Sequence, residues 1–327
     1  MTRFRTMIAV AAALGAPLHF ADAQEAPGAY PSRPVTIIIP ITPGGSFDVS
    51  ARMYAQKLSD ALQQPFVLDF KPGAGGTIGA AYVAKSAPNG HTIILVSPSF
   101  TTATLQYKDL PYDPLKSFAP ISLVSSAPYV LVVTPSLPAK SVIEYIAYAK
   151  ANPGKLNIAT TGAGAFNHLA AEWLHIATNT KATFIHYKSS PVYLTDLISG
   201  RVQGGISGIP FVKGQVAAGK IRALGVTSLA RNPAYPDLPS FAEQGVAGYD
   251  AVNWFGFVAP AQTPVPIVNR LSGELVRALK QPDVLGALGN DGAQPIGSTP
   301  AQFSQFLAND LARWRKLVQD GDIKLEE

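Results

Sequence analysis

Short apolar runs alternate along the chain with stretches in which apolar residues recur every three or four positions. Short runs of β-branched residues predict buried strands. The three- and four-residue spacing of Ala51, Tyr54, Leu58 and Ala61 predicts a helix. From residue 34 onward the alternation predicts an α/β architecture with mostly parallel sheets. The predicted strands are 35–40, 66–69, 92–96, 130–133, 156–160, 182–186, 202–206, 221–226 and 255–259.

Two long extended runs, 121–133 and 253–259, bear on the domain organisation because both are nearly uncharged. Paired as crossover strands, they would join two lobes. The first lobe would then comprise 24–127 plus 253–327, and the second 128–252. As ordinary strands, they would belong to one contiguous sheet, and the pattern leaves both arrangements open. The 327 residues are enough for two domains of about 150 residues each.

Composition removes several classes of protein. Hydrophobic residues make up 47% of the chain and charged residues 14%, which excludes a disordered chain or a coiled coil. The chain has no cysteine, which excludes a disulfide framework, a thiol nucleophile and a Cys-based zinc site. The formal net charge of +5 is mild and no basic patch is interleaved with aromatic residues, so no nucleic-acid partner is expected.

The amino terminus has the layout of a secretory signal peptide. Arg3 and Arg5 precede the apolar stretch 7–16, and Ala21-Asp22-Ala23 supplies a small-x-small cleavage site. We therefore expect residues 1–23 to be removed. The apolar stretch is too short to favour the alternative of a membrane anchor.

The richest candidate site is the turn 40–48, where a predicted strand ends and Gly44 and Gly45 precede a helix start at Ser46. Free N–H groups and the helix dipole make such a turn an anion site without a charged side chain. The alternative is a capped turn with no ligand. Other strand-to-helix turns lie at 71–79, 160–168, 186–190 and 205–210, and strand ends are where open α/β sheets bind ligands.

Several short motifs resemble cofactor or metal sites but do not match the required pattern. The glycines of 73–79 miss the dinucleotide fingerprint because Ile78 stands at the third glycine position, so close packing of helix on strand is favoured. His168 and Glu172 read as an ordinary helical side-chain pair rather than metal ligands. His186 ends an apolar strand, and a structural histidine is the default there, with a ligand contact through the neighbouring turn as the alternative.

Catalytic patterns are missing, so no enzyme, metal or cofactor is predicted. Ser207 stands in a turn that lacks the final glycine of a nucleophile elbow, and no Ser-x-x-Lys occurs. A triad assembled from distant positions would still permit a secreted hydrolase.

The ordered set of short motifs resembles the extracytoplasmic solute receptors of the tripartite tricarboxylate transporter family, the Bug receptors. The resemblance covers essentially all of the chain after the leader. The stretches that carry it are YPSRPV (30–35), PGGSFD (43–48) followed by Ala51-Arg52, PGAGGTIGA (72–80), APNG (87–90), LPYDP (110–114), NPGKL (152–156), YK (187–188), GKIRAL (219–224) and WFG (254–256).

The resemblance implies a type II periplasmic binding fold, with two α/β lobes, two crossover strands and a ligand cleft between the lobes. It also implies a periplasmic, monomeric receptor that binds a small carboxylate and delivers it to membrane transporter subunits. Carried over from the family, the implied ligand-binding residues of the first lobe are Thr42, Gly45, Ser46, Phe47, Ser97, Ser99 and Thr101. Those of the second lobe are Thr161, Gly162, Phe166, Asn167, His168, Tyr187 and Ser207.

Three positions depart from the usual family pattern. Phe47 stands where Thr is common, Phe166 where small hydroxyl residues are common, and Ser207 where many relatives carry Asp. Loss of a buried Asp disfavours an ammonium-bearing ligand. Two added rings favour a planar one, so an aromatic mono- or dicarboxylate is expected ahead of citrate. That preference fails where a Phe turns into the core, as Phe does by default. A non-aromatic di- or tricarboxylate receptor and a ligand-presenting sensor remain alternatives.

Overall fold

A computed structural model describes residues 30–43, 45–187, 189–323 and 325. The predicted signal peptide lies outside these residues. The first lobe begins with three strand-and-helix units, and its β1 is completely buried apart from Thr36. The units are β1 Val35–Ile39 with α1 Gly45–Leu62, β2 Phe66–Phe70 with α2 Thr77–Ala84, and β3 Thr92–Val96 with α3 Ser99–Gln106.

The chain then crosses to the second lobe through one long strand, β4 Phe118–Val133. The second lobe is again an alternation of helices and strands. It contains α4 Val142–Ala151, β5 Asn157–Thr160, α5 Phe166–Ala177, β6 Thr183–His186, α6 Ser190–Ser199, β7 Gly204–Gly208, α7 Ile209–Ala217 and β8 Arg222–Val226.

A second crossover strand, β9 Val252–Pro260, returns the chain to the first lobe. Helices complete the fold, and a capping box between Thr299 and Gln302 fixes the start of the last one. These closing elements are α8 Val265–Ala278, α9 Pro282–Asn290, β10 Gln294–Pro295 and α10 Pro300–Asp320.

The two crossover strands pair with each other in antiparallel fashion, from Phe118 opposite Pro260 to Pro128 opposite Val252. Hydrogen bonding follows the order β2-β1-β3-β9-β4-β7-β5-β6, and β4 is shared between the sheets of the two lobes. The crossover prediction is therefore confirmed. The sheets are mixed, because β4 and β9 run against their neighbours, whereas β1–β3 and β5–β7 pair in parallel where they touch.

Separate apolar cores flank the crossover. Ile37, Leu58 and Phe257 belong to a first-lobe core, and Leu131 and Leu174 to a second-lobe core. The helix α10 contributes to both sides, since Leu307 packs in the first lobe while Trp314 packs in the second. The predicted lobe boundaries, after residues 127 and 252, remain a prediction. No helix within the described residues is long and apolar enough to cross a membrane.

Candidate functional site: a cleft between the lobes

A cavity of about 1070 Å³ opens between the two lobes, where strand-to-helix turns of each lobe face one another. The first lobe supplies the end of β1, the turn after β2 and one side of α3. The second lobe supplies the turn after β5 and the end of β6. The first-lobe wall comprises Pro40, Ile41, Thr42, Pro72, Gly73, Gly75, Gly76, Ser99, Thr102, Ala103, Gln106 and Tyr107; the second-lobe wall comprises Thr161, Gly162, Ala163, Gly164, Ala165, Phe166 and His186.

The chemistry of this lining is neutral. Within the described part of the chain, none of the cleft-lining residues is Asp, Glu, Lys or Arg. Hydroxyl groups come from Thr42, Ser99, Thr102 and Thr161, and the lining glycines bring main chain to the cavity wall. Neutral donors at helix starts bind an anion without a partner charge. The described residues contain no group of three or more His, Asp or Glu side chains able to hold a metal ion.

Five of the residues implied by the family resemblance line the cleft. They are Thr42, Ser99, Thr161, Gly162 and Phe166. Gly162 has a φ of +130°, and a Cβ placed there would meet no atom within 4 Å. The turn therefore needs glycine for its backbone conformation rather than for close packing.

The first-lobe turn 43–47 contributes residues both to the start of α1 and to the apolar core. Gly45 and Ser46 are the first two residues of α1, and Gly44 together with the Ser46 side chain lies outside the described residues. Phe47 is 7% exposed and packs edge-on against Phe255, with 4.9 Å between ring centroids. Phe47 thus belongs to the first-lobe core, which is the alternative raised for it from sequence.

The hydroxyl residues after β3 are partly committed to internal bonds. The Oγ atoms of Ser97 and Ser99 lie 3.3 Å apart. Thr101 is fully buried, and its hydroxyl lies 2.7 Å from Asp310 Oδ2 on α10 and 3.0 Å from the carbonyl of Pro98. Burial raises the pKa of Asp310, opposed by Arg313 and by hydrogen bonds from Thr101 and Trp314. Thr101 consequently supports the cleft wall from behind.

In the second lobe, Asn167 and His168 hold the turn that lines the cleft. Asn167 Oδ1 accepts bonds from the Thr161 amide at 3.2 Å and the Thr161 hydroxyl at 3.0 Å. His168 Nδ1 accepts from the Gly164 amide at 3.1 Å. His168 Nε2 lies 3.6 Å from Glu172, in keeping with the expected helical pair. Both side chains therefore act on the turn rather than in the cavity.

Tyr187, Ser207 and Phe166 complete the predicted set. The Tyr187 hydroxyl donates to Asp196 at 2.8 Å, and the buried Ser207 hydroxyl has the Gly208 carbonyl 3.5 Å away in β7. Phe166 lines the cleft although it is only 8% exposed, because most of its ring packs edge-on against Tyr129 and Trp314. The ligand-binding role of all fourteen residues remains a prediction.

Sequence reasoning missed several cleft residues. Gln106 is the last residue of α3 and Tyr107 follows it, and Gln106 Nε2 donates across the cleft to the Ala163 carbonyl at 3.2 Å. The turn at 73–76 also lines the cavity. The close approach expected for 71–79 is present at Gly76 and Gly79, whose added Cβ atoms would lie 3.2 Å from Pro40 Cβ and 3.1 Å from Lys71 O. The signal for Gln106 was the helical spacing from Ser99 and Thr102, which places these three residues on one side of α3.

His186 is the clearest departure from the default assigned to it. The side chain is exposed at the end of β6 and lines the cleft. Its Nδ1 lies 2.6 Å from Thr160 Oγ1. The strand-end rule does place His186 in the candidate turn 186–190.

Two lobes, paired crossover strands and a neutral cleft define a two-lobed solute-binding protein. The profile described as tripartite tricarboxylate transporter family receptor matches residues 50–323, and the chain belongs to this family. Its fold and family are those of solute-binding receptors rather than enzymes.

Solved structures agree with this assignment. The chain is similar to Rpa4515 from R. palustris with adipate, at 37% identity and a TM-score of 0.81, covering 90% of this chain and 99% of that one. It is similar to the periplasmic binding protein BugD, at 32% identity and a TM-score of 0.78, covering 90% and 99%. It is also similar to MatC from Rhodopseudomonas palustris with bound malate, at 30% identity and a TM-score of 0.76, covering 88% and 100%. The predicted periplasmic binding fold is confirmed.

Proposed function

We propose that the protein is a monomeric periplasmic receptor, exported by cleavage after Ala23, that captures a small organic carboxylate. It delivers this ligand to the membrane subunits of a tripartite transporter. The observation that carries the proposal is the cleft itself, whose described lining offers hydroxyl and amide donors and no charged side chain. Similar proteins hold adipate and malate, which are carboxylates without an ammonium group.

Within this class, an aromatic mono- or dicarboxylate is favoured over citrate. Rings stand on both walls of the cleft, Tyr107 on the first lobe and Phe166 on the second. Planar ligands gain from stacked or edge-on contacts with such rings. Phe47 does not add to this argument, because its ring packs against Phe255 in the core.

Calorimetric titration with terephthalate, benzoate, adipate, malate, citrate and glutamate tests the ligand class. We expect binding of at least one carboxylate that lacks an ammonium group, with terephthalate or benzoate ahead of citrate. Tight binding of glutamate with no binding of the other five would contradict the proposal. Thr42→Val should weaken binding by removing a cleft hydroxyl, with the exposed Thr183→Val on β6 as the control.

Export and delivery need separate measurements. Amino-terminal sequencing of the secreted protein should begin at Gln24. Ligand-loaded protein should retain transporter membrane subunits in a pull-down more strongly than ligand-free protein. Equal retention in both states would count against delivery, while the binding proposal would stand on the calorimetry.

A further inference from the structure

The imidazole of His186 lines the cleft and is bonded at only one of its ring nitrogens among the described residues. Its Nδ1 is paired with Thr160 Oγ1 at 2.6 Å, whereas Nε2 has no hydrogen-bond partner among the described residues. The side chain is exposed and lines the cavity beside the turn that begins at Thr161. A ring held at one nitrogen and open at the other is oriented for a contact in the cavity.

The bonding of Thr160 determines which nitrogen carries the proton. Thr160 is fully buried, and its Oγ1 lies 3.4 Å from the amide of Gly162, which donates to it. Among the described residues, His186 Nδ1 is the only acceptor near the Thr160 hydroxyl proton. A buried hydroxyl proton without an acceptor is costly, so the hydroxyl donates to Nδ1. The neutral ring therefore carries its proton on Nε2 and is a donor at that nitrogen.

The surroundings of His186 keep it neutral near pH 7. Partial burial and the perpendicular ring of His168, 5.0 Å away between centroids, lower the pKa of His186, while Glu172 raises it. His168 accepts from Gly164 at its own Nδ1, which places its proton on Nε2, on the side of Glu172. His186 thus matches the rest of the lining, which binds through neutral donors.

We propose that His186 contacts the ligand directly and donates from Nε2 to a second carboxylate or hydroxyl oxygen of an extended organic anion. This inference rests on the proposed carboxylate receptor and deepens it. The first-lobe wall offers the Thr42 and Ser99 hydroxyls for one carboxylate, and His186 stands on the opposite wall. A ligand that engages both walls needs two acceptor groups, so His186 selects dicarboxylates and hydroxycarboxylates over simple monocarboxylates.

Two amide variants distinguish the contribution of Nδ1 from that of Nε2. His186→Asn keeps a polar group near Nδ1 and loses the one at Nε2, whereas His186→Gln places an amide nitrogen near Nε2. Titrations use the pairs adipate and hexanoate, and terephthalate and benzoate. Loss of a hydrogen bond to a charged group predicts a dicarboxylate affinity about tenfold or more weaker for His186→Asn. We expect His186→Gln to retain most of the affinity, and hexanoate and benzoate to bind equally to all forms.

The exposed Thr183→Val on the same strand is the control for general damage to β6. Dicarboxylate binding by His186→Asn at wild-type strength would overturn the inference, as would equal losses for mono- and dicarboxylates. If the wild-type protein binds none of these carboxylates, the proposed function itself fails. If it binds them and the variants do not differ, only the role of His186 fails.

A second readout does not depend on affinity. Nitrogen-15 NMR of the imidazole should report the Nε2–H tautomer in the ligand-free protein and a shift of that nitrogen when adipate is added to a binding-competent sample. An Nδ1–H tautomer, or an unmoved Nε2 signal at saturation, would overturn the assignment.

Discussion

The two walls of the cleft are built from the same kind of strand-to-helix turn but are supported by different chemistry. In the first lobe, α3 is anchored to Asp310, which lies 209 residues further along the chain than Thr101. In the second lobe, the turn after β5 is held by Asn167 and His168, only a few residues away. One wall therefore depends on a long-range buried carboxylate and the other on local side chains.

The helix α10 links these two systems. Asp310 accepts bonds from Thr101, Arg313 and Trp314, while Arg313 also donates to the Asp250 carbonyl of the second lobe. The Trp314 ring packs edge-on against Phe166 at 6.0 Å between centroids. The last helix therefore supports both walls, by hydrogen bonds on one side and by ring packing on the other.

The largest expected effect comes from removing the anchor of the first wall. Asp310→Ala removes the acceptor shared by Thr101, Arg313 and Trp314, and breaking a buried charged cluster costs about 3 kcal/mol of the free energy of unfolding. Urea unfolding measures this. Asp320→Ala, which breaks the exposed Lys316–Asp320 pair on the same helix, is the matched control and should cost less than about 1 kcal/mol. Equal losses of unfolding free energy in both variants would show that Asp310 does not anchor the first wall.

The second-largest effect concerns pH and lies in the second lobe. His175 is buried against Tyr145 and Thr180, and burial lowers its pKa from 6.5 to about 4, with Glu172 opposing the shift. The unfolded chain then binds more protons than the native protein below pH 6.5. Stability from neutral His175 is complete above pH 6.5 and is lost as the pH falls toward 4, by about 2 kcal/mol at pH 5.

Unfolding at pH 7 and pH 5 tests this expectation. His175→Gln cannot titrate, so its stability should fall less between the two pH values than that of the wild-type protein. If the free energy of unfolding fell equally for both proteins, the acid sensitivity would arise from groups other than His175. The second lobe would then not differ from the first in its response to pH.

A third prediction separates backbone strain from ligand binding. Gly162 and Gly154 both have positive φ, +130° and +73°, and neither has an atom within 4 Å of an added Cβ. Ala at either position should cost about 1 to 2 kcal/mol of stability. Only Gly162 lines the cleft, so only Gly162→Ala should weaken carboxylate binding, by about tenfold in calorimetry. Equal affinities for the two variants would place the ligand away from this turn.

The smallest effect concerns the bond that joins the walls. Gln106→Ala removes the hydrogen bond to the Ala163 carbonyl, which stabilises contact between the lobes by about 1 kcal/mol. Small-angle scattering of the ligand-free protein should show a larger radius of gyration, with the liganded protein unchanged. Gln305→Ala, whose partner Asn309 lies on the same exposed helix face, is the control. An unchanged ligand-free radius would mean that this bond does not set the separation of the lobes.

The sequence predicted the elements well wherever the pattern was local. The extended run at 121–133 became β4, with three more residues at its start, and the run at 253–259 became β9. The strand expected at 202–206 lies at Gly204–Gly208, because its glycines carry no side-chain pattern to mark the ends. The Thr161–Gly162 turn was found because a strand end followed by a helix start is a local signal.

Two phenylalanines show where sequence reasoning stopped. Phe47 and Phe166 both stand in the first turn of a helix after a glycine turn. The sequence therefore predicted for each either a ring in the cleft or a ring in the core. Packing against Phe255 encloses Phe47, while Phe166 keeps one edge on the cleft because Tyr129 and Trp314 support its other sides. These partners come from distant segments, so no local pattern distinguishes the two rings.

The sequence alone determined the alternation of elements, the glycine turns at strand ends and the neutral, cysteine-free character of the candidate site. Periodicity and turn chemistry act over a few residues and can be read directly. Only the tertiary structure decided that Gln106 meets Ala163, that Thr101 binds Asp310 and that His186 faces the cavity. These contacts depend on how two lobes and one long helix pack across the crossover strands, and packing between distant segments leaves no periodic trace in the chain.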